Sequence, residues 1–220
     1  SLPIEDYAEC RVMNLLVETF YNNAMFEELF TLVRYLGASP FQCLTYVKEH
    51  GEEYSPRIKE IIAEFLEQTT DDLYDSFDDA QKHVLTNEVI EKYIGGELGT
   101  NELLLHRALL YAAFEDICQL LFNAAAAELL RANLLTEPVN AYLTDLQIFT
   151  RMRKEDLFTS SSETRSALLR YDFETIQSLD FAVNPNMLKQ FDTAQEFRFY
   201  HDPQQKQHIA NHDNGHSQWQ

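Results

Sequence analysis

The sequence predicts an all-α fold: a multi-helix bundle of orthogonal and antiparallel packing around one long central apolar helix, with at most one short strand near the C-terminus. Three observations lead there. Glycine and proline are scarce, 6 of each in 220 residues, and they sit almost wholly between segments whose apolar residues recur at helical spacing. Ser39-Pro40, Ser55-Pro56 and Asp202-Pro203 each read as an N-cap followed by proline in the first turn, where the missing N–H is not needed. Only Glu196 to Tyr200 alternates with the two-residue period of a strand, too little for a sheet core.

Each element follows from its own pattern. From Asp6 to about Tyr21 the apolar face is Val12, Leu15, Leu16 and Thr19-Phe20, and Asn22-Asn23 turns the chain into a second helix ending before Gly37, so these two are expected to pack as an antiparallel pair. A third helix runs from Pro40 to about His50 and stops at Gly51. A fourth opens at Ser55-Pro56 with Ile58, Ile61, Ile62, Phe65 and Leu66 on one stripe, and continues past Thr69 through Leu73, Tyr74 and Phe77. A short helix from about Asn87 ends at Gly95-Gly96. Residues 101 to 133 are apolar nearly all round, which reads as the buried central helix, about 50 Å long if straight. Thr136 to Lys154 gives another helix with Pro138 near its start, and Glu163 to about Leu179 one more. Residues 1–200 thus form a helical domain, and 201–220, where the apolar pattern is lost, a polar tail or appended end.

Composition excludes several classes. Hydrophobic residues make up 45% of the chain, enough to offset the entropy of ordering, so the chain folds rather than remaining disordered. The 36 acids against 17 bases give a formal charge of -19, a field that repels phosphate, so nucleic acid is not an expected partner. The basic run Arg151-Met152-Arg153-Lys154 reads as the cationic end of a helix complementing its dipole. Signal-peptide layout is missing at the start, where Glu5, Asp6 and Glu9 intervene, and no apolar stretch has the roughly 20 residues of a membrane span; a cytoplasmic setting is expected. Cys10, Cys43 and Cys118 are far apart and odd in number, as suits reduced, packed thiols.

Little in the chain reads as chemistry. Asp71, Asp72, Asp75, Asp78 and Asp79 lack the glycine and terminal glutamate of a calcium loop and read as a solvated face. His106, one turn after Glu102, reads as a satisfied core or boundary histidine held by a hydrogen bond or ion pair to that glutamate. His208, His212 and His216 recur at i, i+4, which suits a metal, but Gly215 and the polar surroundings favour adventitious binding. Ser160, Ser161 and Ser162 have no nucleophile-elbow frame and read as a helix cap. Neither dinucleotide nor P-loop glycine pattern occurs. No catalytic, cofactor-binding or metal-ligating residue is therefore named in this chain.

Five ordered stretches resemble a known family. They are Met13 to Asn22 with Phe26, Leu29 and Leu36-Gly37-Ala38-Ser39; Phe65 to Ser76; Tyr93-Ile94-Gly95-Gly96-Glu97-Leu98-Gly99-Thr100-Asn101-Glu102-Leu103-Leu104; Leu169 to Phe173; and Phe197 to Asp202. Together they span roughly residues 7 to 209, and they are similar to the helical C-terminal region of cobalamin-binding radical S-adenosylmethionine proteins, of the anaerobic magnesium-protoporphyrin IX monomethyl ester cyclase type. The Gly-Glu-Leu-Gly-x-Asn hinge and the Phe-Tyr-Asn segment are the more specific parts. They single out Phe20, Tyr21, Asn22, Gly95, Gly96, Glu97, Gly99 and Asn101 as structural or interaction positions.

The resemblance implies an accessory domain of an oxidative cyclase or methyltransferase type of radical enzyme, shaping or covering the active site. Its partners would be the cobalamin-binding and radical SAM domains of the same polypeptide. Cobalamin, S-adenosylmethionine and a [4Fe-4S] cluster would belong to that missing N-terminal part: three cysteines within eight residues cannot be assembled here, and Ala210 to Gly215 only approaches the cobalamin motif. The alternative is a free-standing helical interaction module. A ligand-responsive transcription regulator ranks last, since residues 1–37 offer only Arg11 and Arg34 for a DNA-reading helix pair.

Overall fold

The computed structural model describes residues 4–82, 100–154, 157, 164–173 and 186–199; at Ile4, beyond Thr70 in the fourth helix, and at Thr100 and Asn101, it describes the backbone alone. Among these residues the chain forms α1 (Ile4–Val17), a π turn (Glu18–Asn22), α2 (Glu27–Tyr35), α3 (Pro40–Glu49), a 3₁₀ turn (Gly51–Glu53), α4 (Pro56–Lys82), α5 (Thr100–Ala112), α6 (Phe114–Arg131), α7 (Glu137–Lys154), β1 (Arg165–Leu169) and β2 (Gln195–Phe199). The class is all-α, with the two strands forming a small antiparallel sheet in which Ala167 faces Phe197.

The helix ends follow from their residues. Ser55 accepts the Ile58 N–H on its Oγ at 3.2 Å, an N-cap ahead of Pro56. Leu36-Gly37-Ala38 closes α2 by bonding Ala38 N to Val33 O and Gly37 N to Arg34 O, both at 3.0 Å, with Gly37 at φ +81°. This paired closure requires a left-handed residue, which glycine supplies without strain. Asn133, at φ +58°, plays the same part after α6, where Leu134 N bonds Leu129 O at 2.7 Å. Asn tolerates that region better than most side chains.

Two layers meet in one core. On one side α1 packs on α3, α4 and α5, and α4 packs on α5; on the other, α6 packs on α3 and α7, with α2 across both and β1 against α7. The expected α1–α2 hairpin is thus replaced by more extensive packing with other helices, because the π turn and the bend at Ala24, φ +52°, redirect the chain between them. Leu15, Phe26, Leu29, Leu32, Val47, Ile61, Phe65, Ile117 and Leu121 are fully buried between the layers. Each stabilises the fold by roughly 1.5–3 kcal/mol relative to exposure.

Two further expectations are corrected. The central helix is not continuous: Ala113, at φ −100° and ψ 42°, separates α5 from α6, and its N–H bonds Leu110 O three residues back. No glycine or proline marks the break. Tertiary contacts set it, since α5 serves α4 and the π turn whereas α6 serves α3 and α7, and one straight rod cannot face both sets. Secondly, the helix expected from Glu163 contains strand β1 at Arg165–Leu169. Arg-Ser-Ala-Leu-Leu has helical propensity, but cross-strand pairing with β2 overrides it. The strand expected at 196–200 is β2, at Gln195–Phe199.

Candidate interaction site

Among the described residues, a π turn lies at the end of α1. A π turn takes in an extra residue and loosens the i+4 ladder, and such turns recur at functional places in helices. Here it rolls Thr19 and Phe20 inward, both fully buried or nearly so, and leaves Tyr21 and Asn22 exposed. Phe20 lies 5.6 Å from Phe26, whose ring stacks on Phe114 at the start of α6. Tyr21 sits 5.5 Å from Phe30 of α2, with 44% of its surface open. Asn22 Nδ2 donates to Glu18 Oε2 at 2.7 Å, tying the turn to itself.

Helix α5 braces this turn. Tyr111 donates its hydroxyl to the Thr19 carbonyl at 2.9 Å, Asn23 Nδ2 donates to the Tyr111 hydroxyl at 3.4 Å, and Arg107 pairs with Glu18 at 2.5 Å. Arg107 also lies 5.9 Å from the Tyr111 ring. A carbonyl loosened from its helical partner is thus met by an outside donor, the usual outcome for a buried backbone group. Further along, Arg11 of α1 stands 5.2 Å over the Phe65 ring and 3.8 Å from Glu102. His106 is buried against Phe65, and its Nδ1 is 2.8 Å from the Glu102 carbonyl. The expected His106–Glu102 contact therefore exists through the backbone, while the carboxylate serves Arg11. The Nδ1 faces an acceptor and so carries the proton in the neutral ring.

Three resemblance positions, Phe20, Tyr21 and Asn22, form the turn itself, and Asn101 lies in the first turn of the helix that braces it. Gly95, Gly96, Glu97 and Gly99 lie outside the described residues, as do Ser160 to Ser162, His208, His212 and His216. Sequence reasoning missed the roles of Glu18, Arg107 and Tyr111, and read Asn23 only as part of the turn. For Arg107 and Tyr111 the signal was a charged and a phenolic residue inside the apolar run from 101 to 133.

A second polar centre lies where the end of α7 meets α2. Lys154, at the end of α7, donates to Glu28 of α2 at 2.8 Å and also to the Met25 carbonyl, and Arg153 meets the same carboxylate at 3.1 Å. Burial pushes the Lys154 ammonium below its ordinary value, against the pull of Glu28. Arg151 pairs with Glu115, so all three cations of the basic run are engaged at the helix end. Asp145 holds Arg170 through its guanidinium at 2.6 Å and through its backbone N–H at 2.7 Å. Around it, Tyr142, Phe149, Tyr171, Phe173, Phe197 and Phe199 interlock at 4.9–6.4 Å.

No group of three or more metal-type ligands occurs among the described residues. The cysteines do not fit an iron–sulfur cluster: Cys10 is exposed on α1, and Cys43 and Cys118 are buried on α3 and α6. Burial foremost, then Glu128, pushes the Cys43 thiol up to about 12. No described helix is long and apolar enough to cross a membrane. No family model, curated protein or solved structure matches the chain.

Proposed function

We propose that this chain is the accessory C-terminal domain of a cobalamin-dependent radical SAM enzyme, covering or shaping an active site whose cluster and cofactors reside in the preceding domains. The observation that carries this reading is the placement of the resembling stretches. Phe20-Tyr21-Asn22 forms a π turn held by Arg107 and Tyr111 of α5, the helix that the glycine hinge leads into. Leu169 to Phe173 and Phe197 to Phe199 likewise meet on Phe149. Stretches far apart in sequence thus act in pairs, as parts of one domain do.

The chemistry in such a division of labour is simple. The preceding domains generate the radical, and a helical cap excludes water and side reactions while closing the opening over the substrate. The decisive experiment is anaerobic comparison of the full-length polypeptide with a form lacking this domain, quantifying iron, cobalamin and product. The expected result is near-normal cofactor loading with product strongly reduced. Full turnover by a soluble truncated form would reject the role. A natural start codon at Ser1 would instead favour the free-standing interaction module.

A further inference from the structure

No further inference is drawn: the strongest candidate, the side-chain cluster of Arg11, Phe65, Glu102 and buried His106 between α1, α4 and α5, carries none because nothing in the structure shows what group would meet the His106 Nε2.

Discussion

The end of the molecule built from α2, α6, α7 and the sheet differs from the end built from α1, α4, α5 and the π turn in how completely each satisfies its own groups. At the first, Glu28 meets two cations, Asp145 meets both guanidinium and backbone of Arg170, and six aromatic rings interlock. Thr150 Oγ1 is its one buried side-chain polar atom without a hydrogen bond among the described residues. At the second, Thr19 Oγ1, Thr69 Oγ1 and His106 Nε2 are all buried without one, Ala24 sits at positive φ, and Leu105 of α5 is exposed. Native interiors leave few such groups. The first end satisfies nearly all of its buried polar groups; the second leaves several unmet.

Breaking the satisfied end gives the largest effect. Lys154→Met removes the buried cation closest to the Glu28 carboxylate, and stability measured by denaturant titration should fall by roughly 3–5 kcal/mol. Adding Glu28→Leu should restore much of the loss, since a neutral pair removes the stranded charge. A double variant as unstable as the single one would show that packing, not charge, governs this end.

Alkali tests Tyr142 in that end and Tyr54 at the junction of α3 and α4. Burial first, then Glu28, raises the Tyr142 hydroxyl above its ordinary 10, and burial with Glu52 pushes Tyr54 up to about 12. Above pH 10 the unfolded chain releases protons that the native chain retains, so each tyrosine lowers stability by up to about 1.4 kcal/mol per pH unit until its folded value is passed. Below pH 10 neither contributes a slope. Tyr142→Phe should flatten the fall seen between pH 10 and 12 in thermal melts, and an unchanged slope would remove Tyr142 as a cause.

How much of this was legible in sequence follows the same divide. Helix bounds set by local chemistry were readable: Ser55-Pro56 opens α4, Gly37 closes α2, Gly51 follows α3, and Val12, Leu15, Leu16 and Phe20 are buried as spaced. What long-range contacts decide was not. Nothing local in Tyr111-Ala112-Ala113-Phe114 breaks a helix, and nothing in Arg165 to Leu169 prefers a strand until Phe197 and Phe149 are beside it. Phe20, Tyr21 and Asn22 were visible as a segment through resemblance. Their bracing by Arg107 and Tyr111 was not, because a single polar residue in an apolar run does not say which distant carbonyl or carboxylate it meets.

The bracing of the π turn gives a middle-sized effect. Tyr111→Phe removes the donor to the Thr19 carbonyl at 2.9 Å and should cost about 1–3 kcal/mol, the penalty of an unmet buried acceptor. Ala24→Gly, at φ +52°, should act in the opposite direction. Relief of left-handed strain, less the added freedom of the unfolded chain, should leave a gain of roughly 0.5–1 kcal/mol in denaturant melts. If Ala24→Gly destabilises, the bend is not strained and the turn is more relaxed than its backbone implies.

The smallest effect on stability belongs to the outward face of α5. Leu105→Ser with Ala108→Ser replaces exposed apolar groups, and surface changes away from packed features usually fall within about 0.5 kcal/mol. Leu110→Ala, on the buried side of the same helix at 1% exposure, should cost about 2–5 kcal/mol through lost burial and the cavity left behind. The two variants share one helix, so helix length cancels in the comparison, and the lower helix propensity of serine works against the expected separation. Parallel denaturation of both should therefore separate them by more than about 1.5 kcal/mol. Equal losses would mean that Leu105 and Ala108 are packed within this chain, and the contrast between a satisfied end and an open one would collapse at the helix that defines it.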